Sequence, residues 1–415
     1  MLFNNFELED LYNKYELDSH YSISTACLSP LSINDLFSLA NIADFKNNID
    51  GGSSFSEDNC GLYHDFINLK VDYAAKFGSE FLIDALESSY SKDLLYLSTS
   101  GASEAIVLVF SSLFSRGDKI IVQKPIYPSL YKVAEGLGVE IIDWDFDWGN
   151  KFEFNYQELE SIVKQNKDIK AIVINNPNNP TGYCFNSQEL NQLVNLASSK
   201  DIYLIADEVF KDLVDPKLSI PSVAKLYSKA ICIADVSKAY GLQGLRTGWI
   251  ACQDSDLREK FLAMKNYFSL RTPILGEYLA AIALNNSEKL LGSSRKKISE
   301  AKKLLFHGLN NKKYQDLSHK DSRKKLILDR IKSFQSENNK FINELESILG
   351  AIELDLKIQP EKLQGLSCFA EINSEKYSAE DIFQFLIKNK IFMLPGHVYG
   401  SKYSQYLRLG LLSLA

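Results

Sequence analysis

Between about residues 60 and 284, short and mostly apolar runs alternate with segments of helical period. The runs are Leu94–Leu97, Lys119–Val122, Val139–Trp144, Ala171–Ile174, Ile202–Ala206, Ala230–Ala234 and Gly248–Cys252. Continuous apolar runs of this length, without polar alternation, read as strands buried on both faces. Patterns between them, such as Glu104–Phe114 and Ser187–Ser199 with Ser187 as the expected N-cap, supply covering helices. Such alternation predicts an α/β large domain over residues 60–284, its mainly parallel sheet sandwiched by helices.

Outside that stretch the character changes. Ile327–Leu349 reads as one long amphipathic helix, Cys368–Ile372 and Ile391–Leu394 as strands, and Ala379–Asn389 as a helix. Together these predict a small α+β domain built from residues 1–59 and 285–415. Two domains also suit a chain of 415 residues. Residues 287–326 carry twelve basic against four acidic side chains and read as a basic helical insertion. The whole chain has 46 basic and 53 acidic residues, so its net charge of −7 gives no global reason to expect nucleic acid. Aromatics are sparse in the basic stretch, where a solvated helical face is the commoner meaning.

Composition removes other classes. Cys27, Cys60, Cys184, Cys232, Cys252 and Cys368 are widely spaced, with no C-x-x-C pair and no histidine at ligand spacing, so neither a metal site nor a disulfide framework is expected. The five histidines form no visible triad, although His397 lies in the PGHVYG loop. The first thirty residues mix acids with aromatics, unlike a signal peptide, and no segment is apolar for the length of a membrane span. A cytoplasmic protein without a membrane partner is the expectation.

The informative residues fall at strand ends, where open α/β sheets place their ligands. LSTSGASEAI passes from a strand into a helix through Ser100, Gly101, Ala102 and Ser103, whose backbone amides can approach an anion at a helix start. NNPNNPTG, residues 175–182, is a turn rich in amide groups. Asp207 closes the strand YLIAD, where a carboxylate is costly to bury without a partner. Lys238 follows AICIADVS, and Arg246 follows eight residues later. Each alone has a bland explanation: a helix cap, a loop, a surface charge.

In this order and spacing, from about Tyr73 to Arg408, they resemble the fold type I pyridoxal phosphate enzymes, specifically the class I/II aminotransferases. The resemblance implies pyridoxal 5'-phosphate as cofactor. Lys238, in SKAYGLQGLRTGW, would hold it covalently and act as the proton-transferring base. Asp207 would pair with the ring nitrogen, and Asn179, in NPTG, would donate to the ring hydroxyl oxygen. Tyr127, in KPIYPSLY, would stack on the ring. Ser100, Gly101, Ala102, Ser103 and Arg246 would hold the phosphate, and Tyr73 would reach the phosphate of a neighbouring subunit. That implies a homodimer with active sites at its interface. Arg408, in QYLRLG, would grip the substrate carboxylate, with Asn179 beside it.

Three departures stand out. Phe210 replaces the usual tyrosine after the aspartate, removing a donor to the ring oxygen; Asp235 stands where a phosphate-binding serine is usual; and the sequence ends seven residues after Arg408. A carboxylate cannot donate to phosphate, so Asp235 is expected to bond Arg246, a backbone amide or a hydroxyl. The reaction implied is amino transfer between an α-amino acid and a 2-oxo acid. Elimination, replacement, decarboxylation or cyclisation on the same cofactor is the alternative, and a non-catalytic regulator retaining the fold is a third.

Overall fold

The computed structural model describes residues 5–16, 18–39, 65–149, 152–218, 220–307, 319–334 and 339–414. The turn-rich stretch Asp50–Gly61, with Cys60, and also His64 lie outside the described residues, as does the 308–318 part of the basic stretch.

Strands are numbered in chain order. β1 (Tyr21–Ser22) belongs to the N-terminal segment. The main sheet uses β2 (Leu95–Thr99), β3 (Lys119–Lys124), β4 (Glu140–Asp147), β5 (Glu153–Phe154), β6 (Ile169–Asn175), β7 (Tyr203–Asp207), β8 (Ala230–Asp235) and β9 (Gly248–Cys252). Their spatial order is β2-β9-β8-β7-β6-β3-β4-β5. The run from β8 to β4 is parallel throughout, while β9 is antiparallel to both neighbours and β5 to β4. All seven expected strands are present, shifted at their ends by up to three residues.

Burial explains the continuous apolar runs: every residue of β8 and β9 is buried, polar Asp235 included. Helices such as Gly101–Leu113 and Ser187–Ser199 cover the faces, and the latter starts one residue earlier than expected. Its cap is Asn186, not Ser187, because the Asn186 side chain accepts the Glu189 N–H while Glu189 reaches back to the Asn186 N–H.

A second sheet, ordered β10-β11-β14-β13, is antiparallel and contains β10 (Glu353–Leu356), β11 (Ser367–Asn373), β13 (Leu394–Pro395) and β14 (Tyr406–Gly410). β12 (Ile391–Phe392) pairs with β1, tying the N-terminal segment to the C-terminal part. The helix expected over Ile327–Leu349 is instead two, His319–Phe334 and Asn339–Gly350. Both pack with apolar residues inward, Ile331 from the first and Phe341 and Leu345 from the second, so their joint apolar period imitates one element. A large mainly parallel α/β layer and a small α+β part make the architecture. No described helix is long and apolar enough to cross a membrane.

Candidate active site

Because β8, β7, β6 and β3 run parallel, their C-terminal ends meet at one edge of the sheet, which the chain reverses at β6/β3. Strand register then aligns the chemistry: Asn175 pairs with Asp207, and Asp235 with Gly248, which also faces Thr99.

Asp207 is 3% exposed, and its Oδ1 accepts the Val209 N–H at 3.1 Å. Among the described residues no ion pair neutralises it. Burial above all, then the nearby Asp235 and Glu208 carboxylates, push its pKa up to about 7, against the opposing pull of the Val209 N–H and Lys238. A buried carboxyl lacking a cationic partner fits a protonated ring nitrogen. Lys238, three residues beyond β8, is exposed, and its carbonyl accepts the Leu28 N–H at 3.1 Å.

The asparagine-rich loop is rigid because it satisfies itself. Asn178 Nδ2 donates to Pro125 O at 3.0 Å, its Oδ1 accepts from the Thr181 hydroxyl at 2.6 Å, and the Asn179 N–H donates to Asn175 Oδ1 at 2.6 Å. Asn179 is thereby held 7% exposed, beside Arg408.

Arg408 is 2% exposed and all its donors are engaged. Nε donates to Ser24 Oγ at 3.1 Å; Nη1 donates to Asn179 Oδ1 at 3.1 Å and to the Tyr399 hydroxyl at 2.9 Å; Nη2 donates to the Tyr12 hydroxyl and to Ser24 O, each at 2.5 Å. Burial alone would lower its pKa, but the Tyr12 and Tyr399 hydroxyls carry it upward. The Tyr399 hydroxyl in turn donates to Asn179 Oδ1 at 3.1 Å. Tyr12, Ser24 and Tyr399 were not anticipated. Only the PGHVYG motif, which contains Tyr399, pointed there; Tyr12 and Ser24 reach Arg408 across 396 and 384 positions.

The anion cradle forms where β2 turns into the helix Gly101–Leu113. Gly101 has φ +78°, and a Cβ there would overlap Arg246 Nη2. Arg246, itself at φ +50°, is exposed and donates to Gln243 O at 3.2 Å and Ser100 O at 3.4 Å. Ser103 is exposed, and Ala102 donates its N–H to Asp235. Asp235 thus bonds backbone amides and the Ser237 hydroxyl, two of the three kinds of partner left open.

Tyr127 is half-buried, its hydroxyl donating to Glu9 Oε1 at 3.1 Å. Phe210 is buried and brings no hydroxyl. Tyr73 is 75% exposed, and its N–H donates to Asp72 Oδ1 at 2.7 Å. No cluster of potential metal ligands occurs among the described residues.

Known proteins resemble this chain in family and fold. A family model described as aminotransferase class I and II matches residues 59–414. The chain is 29% identical over 195 residues to a capreomycidine synthase of Streptomyces vinaceus, covering 47% of this chain and 49% of that protein. It is 25% identical over 316 residues to a probable aspartate aminotransferase of Methanocaldococcus jannaschii, covering 70% and 80%. The match thus spans about half the length of the first relative and most of the second. Among solved structures, a PLP-dependent aminotransferase from Streptococcus suis 89-1591 superposes with TM-score 0.75 and 24% identity, over 100% of this chain and 95% of that one. At that identity the likeness shows the fold.

Proposed function

From the premise that the chain belongs to the class I and II aminotransferase family, whose cofactor is pyridoxal phosphate, we propose that it moves an amino group between an α-amino acid and a 2-oxo acid. The observation that carries the reading is Asp207, a buried carboxyl without a described cationic partner, at the same sheet edge as Lys238 and the Asn179–Arg408 pair. When bound, the cofactor supplies an electrophilic carbonyl carbon and an electron-accepting ring.

The chain's own residues supply the rest. Lys238 Nζ would hold the cofactor and, as an amine, could carry a proton at the substrate α-carbon. Asp207 keeps a proton on the ring nitrogen, and Asn179 donates its amide to the ring oxygen. Tyr127 covers a ring face. Arg408 binds the substrate α-carboxylate, which must take over donors now bonded to neighbouring hydroxyls. Residues 100–103 and Arg246 hold the phosphate.

The assignment of residues 60–284 to a cofactor-binding domain, and of 1–59 with 285–415 to a small domain, belongs to this proposal. So does a homodimer, supported by the exposed Tyr73, Val71 and Tyr267, apolar side chains that a second subunit would cover. The five described cysteines are free thiols, in keeping with a cytoplasmic setting.

A second reading, cyclisation or replacement on the same cofactor, is favoured by the likeness to capreomycidine synthase. One experiment separates the two. Visible spectra of the protein with pyridoxal phosphate are followed on adding single amino acids, then 2-oxo acids. Reversible passage of the cofactor to its amine form supports amino transfer. Turnover of an amino acid without any amine form supports the second reading. A spectrum unchanged from free cofactor overturns both.

A further inference from the structure

Asp235 stands inside the anion cradle. Its Oδ2 accepts the Ala102 N–H at 3.2 Å and the Ser237 hydroxyl at 2.8 Å, and its Oδ1 accepts the Ser237 N–H at 2.9 Å. The residue is 7% exposed. No ion pair with a lysine or arginine is found for it among the described residues. Opposite it in β9 is Gly248, where a Cβ would come within 2.9 Å of Asp235 Cβ and 2.8 Å of the Gly101 carbonyl carbon. Helix start, carboxylate and strand are therefore packed without an intervening side chain. Arg246, two residues before Gly248, lies against Gly101 from the other side.

An anion that uses the first-turn amides and Arg246 must share this space with a carboxylate that has already taken the Ala102 N–H. The carboxylate has only lone pairs to offer a phosphate oxygen, and two anions in a partly desolvated site repel each other. We infer that Asp235 is a built-in competitor for the cofactor phosphate, loosening the phosphate end directly. It bears on the ring end only through its charge near Asp207, behind the larger effect of burial there. The inference rests on the cofactor site proposed above. Its consequence is a protein that gains less than usual from the phosphate group and exchanges its cofactor with solution readily.

The test compares the dissociation constants of pyridoxal phosphate and of phosphate-free pyridoxal, read from visible absorbance, for the wild type, Asp235→Ser and Asp235→Asn. The asparagine variant keeps the shape and an acceptor for the Ser237 N–H, should serine weaken the fold. The ratio of the two affinities is expected to rise at least about tenfold in favour of the phosphate form, with pyridoxal itself changing less than about threefold. Inorganic phosphate should then also compete better in the variants. An unchanged or reduced ratio in variants with wild-type melting overturns the inference, because Asp235 then only shapes the turn. If the wild type takes up pyridoxal phosphate and borohydride fixes it to Lys238 while the ratio stays flat, only this inference falls. If no form binds it, the proposed function falls as well.

Discussion

Arg408 Nη1 donates to Asn179 Oδ1 at 3.1 Å, joining two residues 229 positions apart. The bond fixes which way the asparagine amide faces: its oxygen is turned to Arg408 and Tyr399, which on the proposed reading would leave its NH2 to donate to the cofactor ring. The carboxylate clamp and the ring donor are thus one unit, and damage to either is felt by both.

Asn179→Ala is therefore expected to lower kcat/KM by roughly 10- to 100-fold, the scale of a lost hydrogen bond to a charged group. Arg408→Lys should lower it comparably, since an ammonium cannot replace five planar donors. The double variant should lose much less than the product of the two. Multiplicative losses in steady-state kinetics would mean that the two residues act independently.

How much of this was legible beforehand depends on sequence distance. Asp207 ends one apolar run and Lys238 follows the next, so their common edge follows once those strands are taken as parallel; Arg246 reaches it because β9, which it precedes, runs antiparallel. The surroundings of Arg408 do not follow, because Tyr12 and Ser24 arrive from the other end of the chain, and no local period encodes a contact of that kind. Misreadings were local: an asparagine one residue earlier offered a better cap than Ser187, and the break after Phe334 was hidden by apolar positions that keep the same phase on either side.

Asp207 gives a pH-dependent prediction. Its folded pKa, about 7, lies above its ordinary value of 3.8, chiefly through burial. The stability it contributes is full below about pH 4 and is lost as pH rises through about 7, by at most roughly 4 kcal/mol. In the cofactor-free protein Asp207→Asn removes this loss, so its melting temperature relative to wild type should climb between pH 4 and 7 and level off above. With cofactor bound the order should reverse at pH 8, because the asparagine cannot hold the ring-nitrogen proton. Parallel melting curves for the two proteins across this range would show that Asp207 is not buried as a neutral acid.

Gly101→Ala tests the cradle. At φ +78° an alanine is strained by about 1 kcal/mol, and its Cβ would meet Arg246 Nη2. Arg246 is exposed and can move, so the fold should survive with a modest fall in melting temperature. The phosphate loses its guanidinium, and affinity for pyridoxal phosphate should drop at least about tenfold while pyridoxal binding changes little. Equal losses for both ligands would place Arg246 outside the phosphate site.

Gly182, which ends the asparagine-rich loop, permits no such escape. It adopts φ +73°, and an added Cβ would overlap the carbonyl oxygen of Ser367 in β11 as well as Leu363 Cδ1. Gly365 approaches from the same side, with its N–H donating to Gly182 O at 3.0 Å. Backbone here packs on backbone, so relief requires parting the loop from β11. Gly182→Ala should cost about 2–4 kcal/mol, visible as a lower denaturation midpoint. Because Asn179 hangs from the same loop, kcat/KM should fall as well, even under conditions where the variant is fully folded. A variant that is destabilised yet retains wild-type kinetics when folded would show that the loop positions Asn179 independently of its seat on β11.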